Sequence, residues 1–244
     1  MKTGIIVQAR MGSTRLPRKV LMNLEGQPML VRVLERLKQV IGIDEIIVAT
    51  TTNEMDDAVE LVARTQNVIV YRGSEEDVLS RYYEAAKKEN LDIVIRVTGD
   101  CPLIDPLVIT EILEFFKTNE YDIVSNATVD PQFRTYPRGL DTEIFSFKAL
   151  EGANIKAVEK SHREHVTIYI YENTEHKYFY KQQQDNSQFR WTVDTIEDFE
   201  FVENIYKRLY HGDNRFYQKE ILELIQNEPE LLKINEMIRQ KEVH

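Results

Sequence analysis

The chain contains few of the residues that mark fibrous, disordered or disulfide-stapled proteins. It has one cysteine, Cys101, with 9 glycines and 7 prolines in 244 residues. A single cysteine excludes an internal disulfide, and so little glycine and proline argues against collagen-like and low-complexity sequences. No apolar run approaches the roughly 20 residues of a membrane span, and the chain opens into a strand pattern without a secretion signal. We therefore expect a globular, cytoplasmic protein without membrane partners.

Excess positive charge is also missing. The 31 Lys and Arg residues face 41 Asp and Glu residues, which gives a formal net charge of -10. A protein held to nucleic acid or to an anionic membrane by its overall charge needs the opposite balance, so neither is expected as a partner. Any anionic ligand must be held by a local basic cluster.

The first half of the chain alternates apolar β-type runs with amphipathic stretches, a pattern that predicts an α/β fold with a mostly parallel, Rossmann-like sheet flanked by helices. Beyond it, residues 127–190 are richer in Tyr, Phe, Gln and Asn, and alternation in residues 177–181 predicts an antiparallel extension. The tail is helical in pattern after a capping pair formed by Thr195 and Asp198. The predicted strands are residues 4–9, 45–51, 68–71, 92–98 and 122–125, and the helices of the first half are residues 29–37, 58–63, 78–86 and 108–116.

The most informative segment is the irregular loop after the first strand, QARMGSTRLPRK at residues 8–19. Arg10, Arg15 and Lys19 supply positive charge there, while Gly12 and Ser13 let backbone amides approach a ligand closely. Ligands of open α/β sheets bind at this carboxyl edge, so the loop predicts a polyphosphate site. The spacing matches neither the P-loop nor the GxGxxG fingerprint, and a solvated basic loop is the alternative.

Asp100 follows the apolar run at residues 93–97 and falls at the same sheet edge as the basic loop. Magnesium prefers oxygen ligands and bridges nucleotide phosphates, so Asp100 is a candidate Mg²⁺ ligand. The alternative is an aspartate that only stabilises the Gly-Asp-Cys-Pro turn. Asp105, which precedes Pro106, is predicted to cap a helix.

Three motifs resemble the sugar cytidylyltransferases, the family of the 3-deoxy-manno-octulosonate and acylneuraminate cytidylyltransferases, and within it the spore coat polysaccharide biosynthesis protein F type. They are IIVQARMGSTRLPRKVL at 5–21, TGDCPLI at 98–104 and WTVDT at 191–195. The resemblance implies a glycosyltransferase-A-type nucleotidyltransferase fold, CTP as donor, Mg²⁺, and a homodimer. It also implies that Asp194 joins Asp100 as a metal ligand. Under this resemblance the nucleotide-binding residues are Ala9, Arg10, Gly12, Ser13, Arg15, Lys19, Arg72, Gly73 and Asp77, and the catalytic residues are Arg10, Arg15, Lys19 and Asp100.

The same resemblance implies a single domain, residues 1–244, in which residues 127–190 form an acceptor-site and dimerisation extension. Polar clusters at 137–143 and 161–167 are candidates for the sugar pocket. His162 and His165 lack partners for a zinc site and are predicted to be surface or pocket-wall residues. The aromatic band is predicted to form the dimer contact, with sheet packing as the alternative, and consists of Tyr169, Tyr171, Tyr178, Phe179 and Tyr180.

The predicted activity is transfer of a cytidylyl group from CTP to an acidic or modified sugar, with release of pyrophosphate, in surface or spore coat polysaccharide synthesis. Two alternatives stay open at this point. One is a nucleotidyltransferase that uses another nucleoside triphosphate, and the other is a catalytically silent nucleotide-sugar binding protein. A complete basic loop together with Asp100 and Asp194 favours the enzyme.

Overall fold

The protein is built on a mixed β-sheet. The computed structural model describes residues 1–128, 130 and 132–239. Its strands are β1 (Thr3–Gln8), β2 (Asn23–Leu24), β3 (Gln27–Pro28), β4 (Glu45–Thr51), β5 (Ile69–Gly73), β6 (Ile93–Thr98), β7 (Ile123–Ser125), β8 (Glu143–Ser146) and β9 (Lys177–Phe179). Among the described residues, seven of these strands form one sheet in the order β5-β4-β1-β6-β8-β7-β9, and β2 pairs with β3 in a separate antiparallel hairpin.

Four strands form the parallel half of the sheet. Strand β1 pairs in parallel with both β4 and β6, and β4 pairs in parallel with β5. These strands are apolar on both faces because the sheet is covered on both sides. All five strands predicted from the sequence are present within a residue or two of the predicted bounds, and the predicted mostly parallel α/β architecture is confirmed.

Helices cover both faces of the sheet. Ile5 and Ile6, adjacent residues of β1, belong to two different clusters of buried apolar side chains. Neighbouring strand residues point to opposite faces, so one cluster lies on each side. The helices are α1 (Met29–Leu37), α2 (Asp57–Thr65), α3 (Val78–Lys88), α4 (Pro106–Thr118), α5 (Phe147–Lys156), α6 (Lys160–His165), α7 (Ile168–Asn173), α8 (Ile196–Leu209) and α9 (Gln218–Asn227). In the described part of the chain, none of them has the length and apolar character needed to cross a membrane.

The capping residues expected from the sequence stand where predicted. Asp105 caps α4, with its carboxylate accepting from the Leu107 backbone N–H at 2.8 Å and with proline in the first turn. Thr195 and Asp198 form a reciprocal capping box at the start of α8. Each cap satisfies backbone N–H groups that a helix cannot pair internally.

The second half of the sheet departs from the prediction. Strand β8 is antiparallel to β6 and β7, which confirms an antiparallel extension. Strand β9, however, pairs in parallel with β7, so the antiparallel prediction for residues 177–181 is wrong. Helices α5, α6 and α7 connect β8 to β9, and β9 runs opposite to β8. Because β8 is itself antiparallel to β7, β9 lies parallel to β7. The sequence analysis did not predict these three helices.

Candidate active site

A cavity of about 510 Å³ opens at the carboxyl ends of β1 and β6. The basic loop forms one wall, as expected for a ligand site of an open α/β sheet. Helices α3 and α6 and the segment around Asp194 complete it. The lining residues are Gln8, Ala9, Arg10, Gly12, Ser13, Thr14, Arg15, Lys19, Val20, Val78, Arg81, Arg96, Thr98, Gly99, Asp100, Glu164, His165 and Asp194.

A buried carboxylate fixes the start of the basic loop. Asp56 is 2% exposed, and one of its oxygens accepts from the Met11 backbone N–H at 2.7 Å. The other oxygen accepts from the Thr51 hydroxyl group. Two turn bonds, from the Ser13 and Arg18 backbone N–H groups to the Met11 carbonyl, then fold the loop back on itself. The loop is therefore anchored by Asp56, a residue that the sequence analysis did not connect with it.

Lys19 joins the two aspartates that the sequence singled out. Its ammonium lies 2.7 Å from Asp100 Oδ2, 2.9 Å from Asp194 Oδ1 and 2.7 Å from the Val193 carbonyl oxygen. The Lys19 side chain is nearly buried, and Arg15 reaches Asp194 from the loop at 3.0 Å. The structure thus gathers Arg15, Lys19, Asp100 and Asp194 at one end of the cavity, whereas Arg10, the third predicted cation, pairs with Glu75 at 3.1 Å.

These contacts fix the charge of the cluster. Burial alone would lower the pKa of the Lys19 ammonium, but Asp100 and Asp194 outweigh it and raise that pKa above its ordinary value. Burial alone would raise the pKa of the Asp194 carboxyl, but Lys19, Arg15 and Arg190 bring it below its ordinary value. Lysine and carboxylate are therefore both charged throughout the neutral range.

The segment that carries Asp194 is held from both sides. Trp191, fully buried, donates its backbone N–H to the Arg138 carbonyl at 2.7 Å, and the Val193 N–H donates to the Asp100 carbonyl at 2.9 Å. Arg190 binds Asp194 at 2.8 Å and Asp198 at 2.8 Å. Asp198 is fully buried among these partners, in agreement with its predicted role as a cap.

The donor chemistry of Asp100 and Asp194 fits magnesium. Both carboxylates touch the same lysine nitrogen, so they lie close together, and both supply the oxygen ligands that Mg²⁺ prefers. Magnesium is usually held by one or two carboxylates together with substrate phosphates and water. Among the described residues no group of three or more His, Cys, Asp or Glu could hold a metal, so phosphate and water would have to complete this set.

The remaining predicted nucleotide-binding residues lie outside the cavity lining. Arg72 donates to Asp57 at 2.6 Å and to Glu60 at 3.0 Å, beside helix α2. Asp77 caps α3 and pairs with Arg163 at 2.5 Å. Gly73, at the end of β5, is likewise not part of the wall, whereas Ala9, Arg10, Gly12, Ser13, Arg15 and Lys19 all are.

Of the two polar clusters predicted to bind the acceptor, residues 137–143 and 161–167, only the second contributes to the cavity wall. Glu164 and His165 line it, and burial lowers the pKa of the His165 imidazole below its ordinary value, so the ring is neutral at pH 7. His162 instead turns to Glu172, at 2.9 Å. The sequence analysis missed Arg81 and Arg96, two arginines of the cavity wall, because each sits inside a regular helix or strand without a motif.

Acid should weaken the fold through Asp194. The pKa of its carboxyl lies below the ordinary value in the folded protein, so its contribution to stability is present above about pH 4 and is lost as the pH falls through the folded pKa. We expect the difference in unfolding free energy between wild type and Asp194→Asn to be constant near neutral pH and to shrink below about pH 4. Urea unfolding in the presence of a chelator measures it, and a difference that is constant down to about pH 3 would contradict the assignment.

Cys101 should be chemically inert in the native protein. The residue is 3% exposed, and burial raises the pKa of its thiol well above the ordinary value. Thiolate is the reactive form, so we expect no alkylation by iodoacetamide at about pH 8 without denaturant and one label per chain in urea. Mass spectrometry checks this, and labelling of the native protein at the rate seen in urea would show that the Gly-Asp-Cys turn opens.

Comparisons with known proteins identify the chain's relatives. The family model described as Cytidylyltransferase matches residues 4–234. An uncharacterized protein of Methanocaldococcus jannaschii is 40% identical over 99% of this chain and 97% of its own length. The spore coat polysaccharide biosynthesis protein SpsF of Bacillus subtilis is 33% identical over 83% of this chain and 85% of its own length.

Solved structures agree with these relatives. A cytidylyltransferase from Leptospira borgpetersenii superposes with a TM-score of 0.89 and 36% identity, covering 100% of both chains. A CMP:2-keto-3-deoxy-manno-octonic acid synthetase in complex with CTP superposes with a TM-score of 0.65 over 85% of this chain and 99% of that one, which at 22% identity shows a shared fold. The resemblance seen in the sequence motifs is thereby confirmed, and the chain belongs to the cytidylyltransferase family.

Proposed function

We propose that this protein transfers a cytidylyl group from CTP to a hydroxyl group of a sugar and releases pyrophosphate. One observation carries the proposal: Arg15, Lys19, Asp100 and Asp194 meet at one end of a cavity walled by the basic loop. That arrangement suits a triphosphate and a dication better than it suits a neutral ligand. Family membership supports CTP as the donor.

In this reaction the sugar hydroxyl oxygen forms a bond to the α-phosphorus as the bond to the pyrophosphate oxygen breaks. The chain's contribution is positioning and charge stabilisation, and no covalent intermediate is required. Arg10, Arg15 and Lys19 would neutralise the triphosphate and the leaving pyrophosphate. Backbone N–H groups around Gly12 and Ser13 would approach the phosphates without a side chain in the way.

Asp100 and Asp194 would hold Mg²⁺. When bound, the metal supplies charge neutralisation at the phosphate oxygens. Lys19, which contacts both carboxylates, keeps them at one place before the nucleotide arrives. Mutual repulsion of the two acids is thereby offset.

The acceptor would enter beside Arg96, Glu164 and His165, at the wall formed by β6 and α6. Residues 127–190 supply Glu164 and His165, which supports their role as the acceptor-site extension. Arg96 is paired with Glu143, and the polar wall that it forms with Glu164 and the neutral His165 suits the hydroxyl groups of a sugar. Synthesis of a surface or spore coat polysaccharide is the corresponding pathway class, supported by the named relative from Bacillus subtilis.

Thermal-shift assays with each of the four nucleoside triphosphates, with and without Mg²⁺, test the donor. We expect CTP with Mg²⁺ to raise the melting temperature most, because a ligand that binds only the native state stabilises it. A larger shift with another triphosphate would indicate a different nucleotidyltransferase. A pyrophosphate-release assay with a panel of acceptors complements this measurement. If CTP stabilises the protein but no acceptor leads to pyrophosphate release, the protein is a catalytically silent binding protein.

We also propose a homodimer through the β9 edge of the sheet. Among the described residues β9 is one of the two edge strands of the sheet, and an uncovered edge readily pairs with another chain. Tyr178 of β9 is 39% exposed and packs against Phe115 and Tyr121, which leaves an aromatic surface at that edge. Aromatic residues are enriched in such interfaces. Light scattering at micromolar concentration should give twice the chain mass of 28.7 kDa, and a monomeric mass would refute the dimer.

A further inference from the structure

Glu143 is a buried carboxylate whose two oxygens hold different parts of the protein. It is the first residue of β8 and is 5% exposed. Its Oε2 pairs with the guanidinium of Arg96, the residue opposite it on β6. Its Oε1 accepts from the Thr167 hydroxyl at 2.9 Å and from the Tyr171 hydroxyl at 2.9 Å. One side chain therefore joins the sheet to the segment that follows α6.

The protein itself satisfies this carboxylate. Burial alone would lower the pKa of the Arg96 guanidinium, but Glu143 outweighs it and raises that pKa above its ordinary value. Burial, together with the charge of Glu143, raises the pKa of the Tyr171 hydroxyl well above its ordinary value, so the phenol stays protonated and donates. A buried charge is costly unless it is paired and hydrogen bonded, and Glu143 has a cation and two hydroxyl donors. Its role therefore lies in the groups that it holds and not in binding a ligand.

The segment that Glu143 holds contains a strained turn. Val166, fully buried, has φ of +58° and ψ of −57°, a conformation that a β-branched residue rarely adopts. Across this turn the Thr167 backbone N–H donates to the His165 carbonyl at 2.5 Å. Strained backbone of this kind persists only where the surrounding structure imposes it, and it is concentrated at functional sites. Contacts on either side of Val166 must therefore keep the turn in place.

Side-chain contacts hold the turn from both directions. Before it, Arg163 donates to both carboxylate oxygens of Asp77, at 2.9 and 2.5 Å, which fixes α6 against the start of α3. After it, the hydroxyl of Thr167 is bonded to Glu143. Thr167 follows Val166 directly, so the contact with Glu143 acts on the residue next to the strained one. Glu143 is therefore the anchor that most directly determines the shape of the turn.

The turn carries one of the residues of the acceptor wall, which we define as Arg96, Glu164 and His165. All three line the cavity, whereas Glu143 lies behind them and does not. Arg96 depends on Glu143 through the ion pair, and His165 depends on it through Thr167, two residues further along the chain. A displacement of about 1 Å in a group that positions a substrate can cost a large part of the rate, so the support behind such a wall matters.

We propose that Glu143 is the positioning residue of the acceptor wall, with one oxygen fixing Arg96 and the other fixing the turn that carries His165. This inference rests on the proposed function, because that function assigns the sugar to this wall. Without the contacts to Glu143, the strained backbone at Val166 relaxes and His165 leaves its half-buried position. Binding of the sugar then weakens, while the phosphate end of the cavity around Lys19 is unaffected.

A double variant, Thr167→Val with Tyr171→Phe, tests the proposal because it removes both hydroxyl donors and changes no charge. The charged groups that act on the His165 imidazole all remain, namely Glu164, Arg96 and Glu143. In an NMR titration, the pKa of His165 should therefore rise from below its ordinary value toward about 6.5, because burial is lost. The signal is assigned by its disappearance in His165→Gln.

Kinetics of label transfer from CTP provide the second measurement. The sugar used is the member of an acceptor panel that wild type labels fastest. Its KM should rise about tenfold in the double variant, with a much smaller change in kcat, because hydrogen bonds to a charged group contribute on this scale. The CTP dissociation constant, measured by calorimetry, should stay that of the wild type.

Tyr217→Phe is the matched control. It removes a tyrosine hydroxyl that donates to Gln39 at 3.0 Å, outside the cavity lining, so neither the His165 titration nor the KM of the sugar should change. Glu143→Gln keeps the length of the side chain but removes its charge, and it should raise the KM at least as much as the double variant. If Glu143→Gln or the double variant does not fold, Tyr171→Phe alone carries the test.

The outcomes separate this inference from the function beneath it. If wild type labels no sugar, the proposed function fails, and the His165 titration alone decides the position of the turn. If wild type labels a sugar and the folded variant keeps the wild-type titration of His165 or the wild-type KM, the inference is overturned, even where the melting temperature has fallen. A raised pKa of His165 together with a raised KM and unchanged CTP affinity supports it.

Discussion

Lys19→Met is expected to lower cytidylyl transfer by about two to three orders of magnitude while the protein still folds. Lys19 is the group that contacts both Asp100 and Asp194, and removal of one preorganised charge partner at a reacting centre typically costs this much in rate. Methionine keeps the length and most of the apolar stem of lysine. Without the ammonium, two neighbouring carboxylates would face the incoming triphosphate. Pyrophosphate release at saturating acceptor measures the loss.

A surface lysine provides the control for that variant. Lys207→Met removes an ion pair with Glu203 on an exposed turn of α8, and pairs of this kind contribute little. Its rate should equal that of the wild type. If Lys19→Met, like this control, retained the wild-type CTP affinity and rate, the basic loop would have no part in the phosphate site.

Gly139→Ala is expected to destabilise the protein by about 3 kcal/mol, which corresponds to a fall in melting temperature on the order of 10 °C. Gly139 has φ of +104°, a conformation in which a side chain is strained. A Cβ there would lie 2.6 Å from the Trp191 carbonyl carbon and 2.7 Å from the Thr192 nitrogen. Backbone cannot move aside as a flexible side chain can, so the segment leading to Asp194 would shift and activity would fall with stability.

Gly152→Ala is the matched control. Gly152 lies within α5, and a Cβ there would meet nothing within 4 Å. Alanine has the higher helix propensity, so this variant should be slightly more stable than wild type, by up to about 1 kcal/mol. Calorimetric melting of both variants checks the pair, and equal melting temperatures would show that the contact between residues 139 and 191 is not tight.

The parallel half of the fold could be predicted because its strands are continuous apolar runs separated by amphipathic helices. The same regularity placed the basic loop and Asp100 at one sheet edge, and the structure brings them together. Asp194 came only from resemblance, since nothing in the residues around it indicates that the chain returns 94 positions later to the loop after β6. Long-range contacts of this kind leave no local pattern.

For other parts of the structure, the sequence pattern either suggested the wrong strand direction or gave no indication of the elements and contacts present. Alternation in residues 177–181 predicts a strand correctly but carries no information about its direction, which depends on the antiparallel course of β8 and on the helices α5 to α7 between β8 and β9. Those helices are short, with 10, 6 and 6 residues, so their period is hard to detect. Asp56 has no motif of its own, because its importance comes from the backbone of the basic loop, whose Met11 N–H group it accepts.

Transfer of label from CTP marked at the α-phosphate to a panel of sugar acceptors tests the central claim most directly. With Mg²⁺ and the correct acceptor, the account predicts that the label appears in a nucleotide-sugar product and that the pyrophosphate released is unlabelled, because the sugar oxygen attacks the α-phosphorus. Label that stays in CTP with every acceptor while another labelled triphosphate yields a nucleotide sugar, or label released only as free CMP, would contradict it.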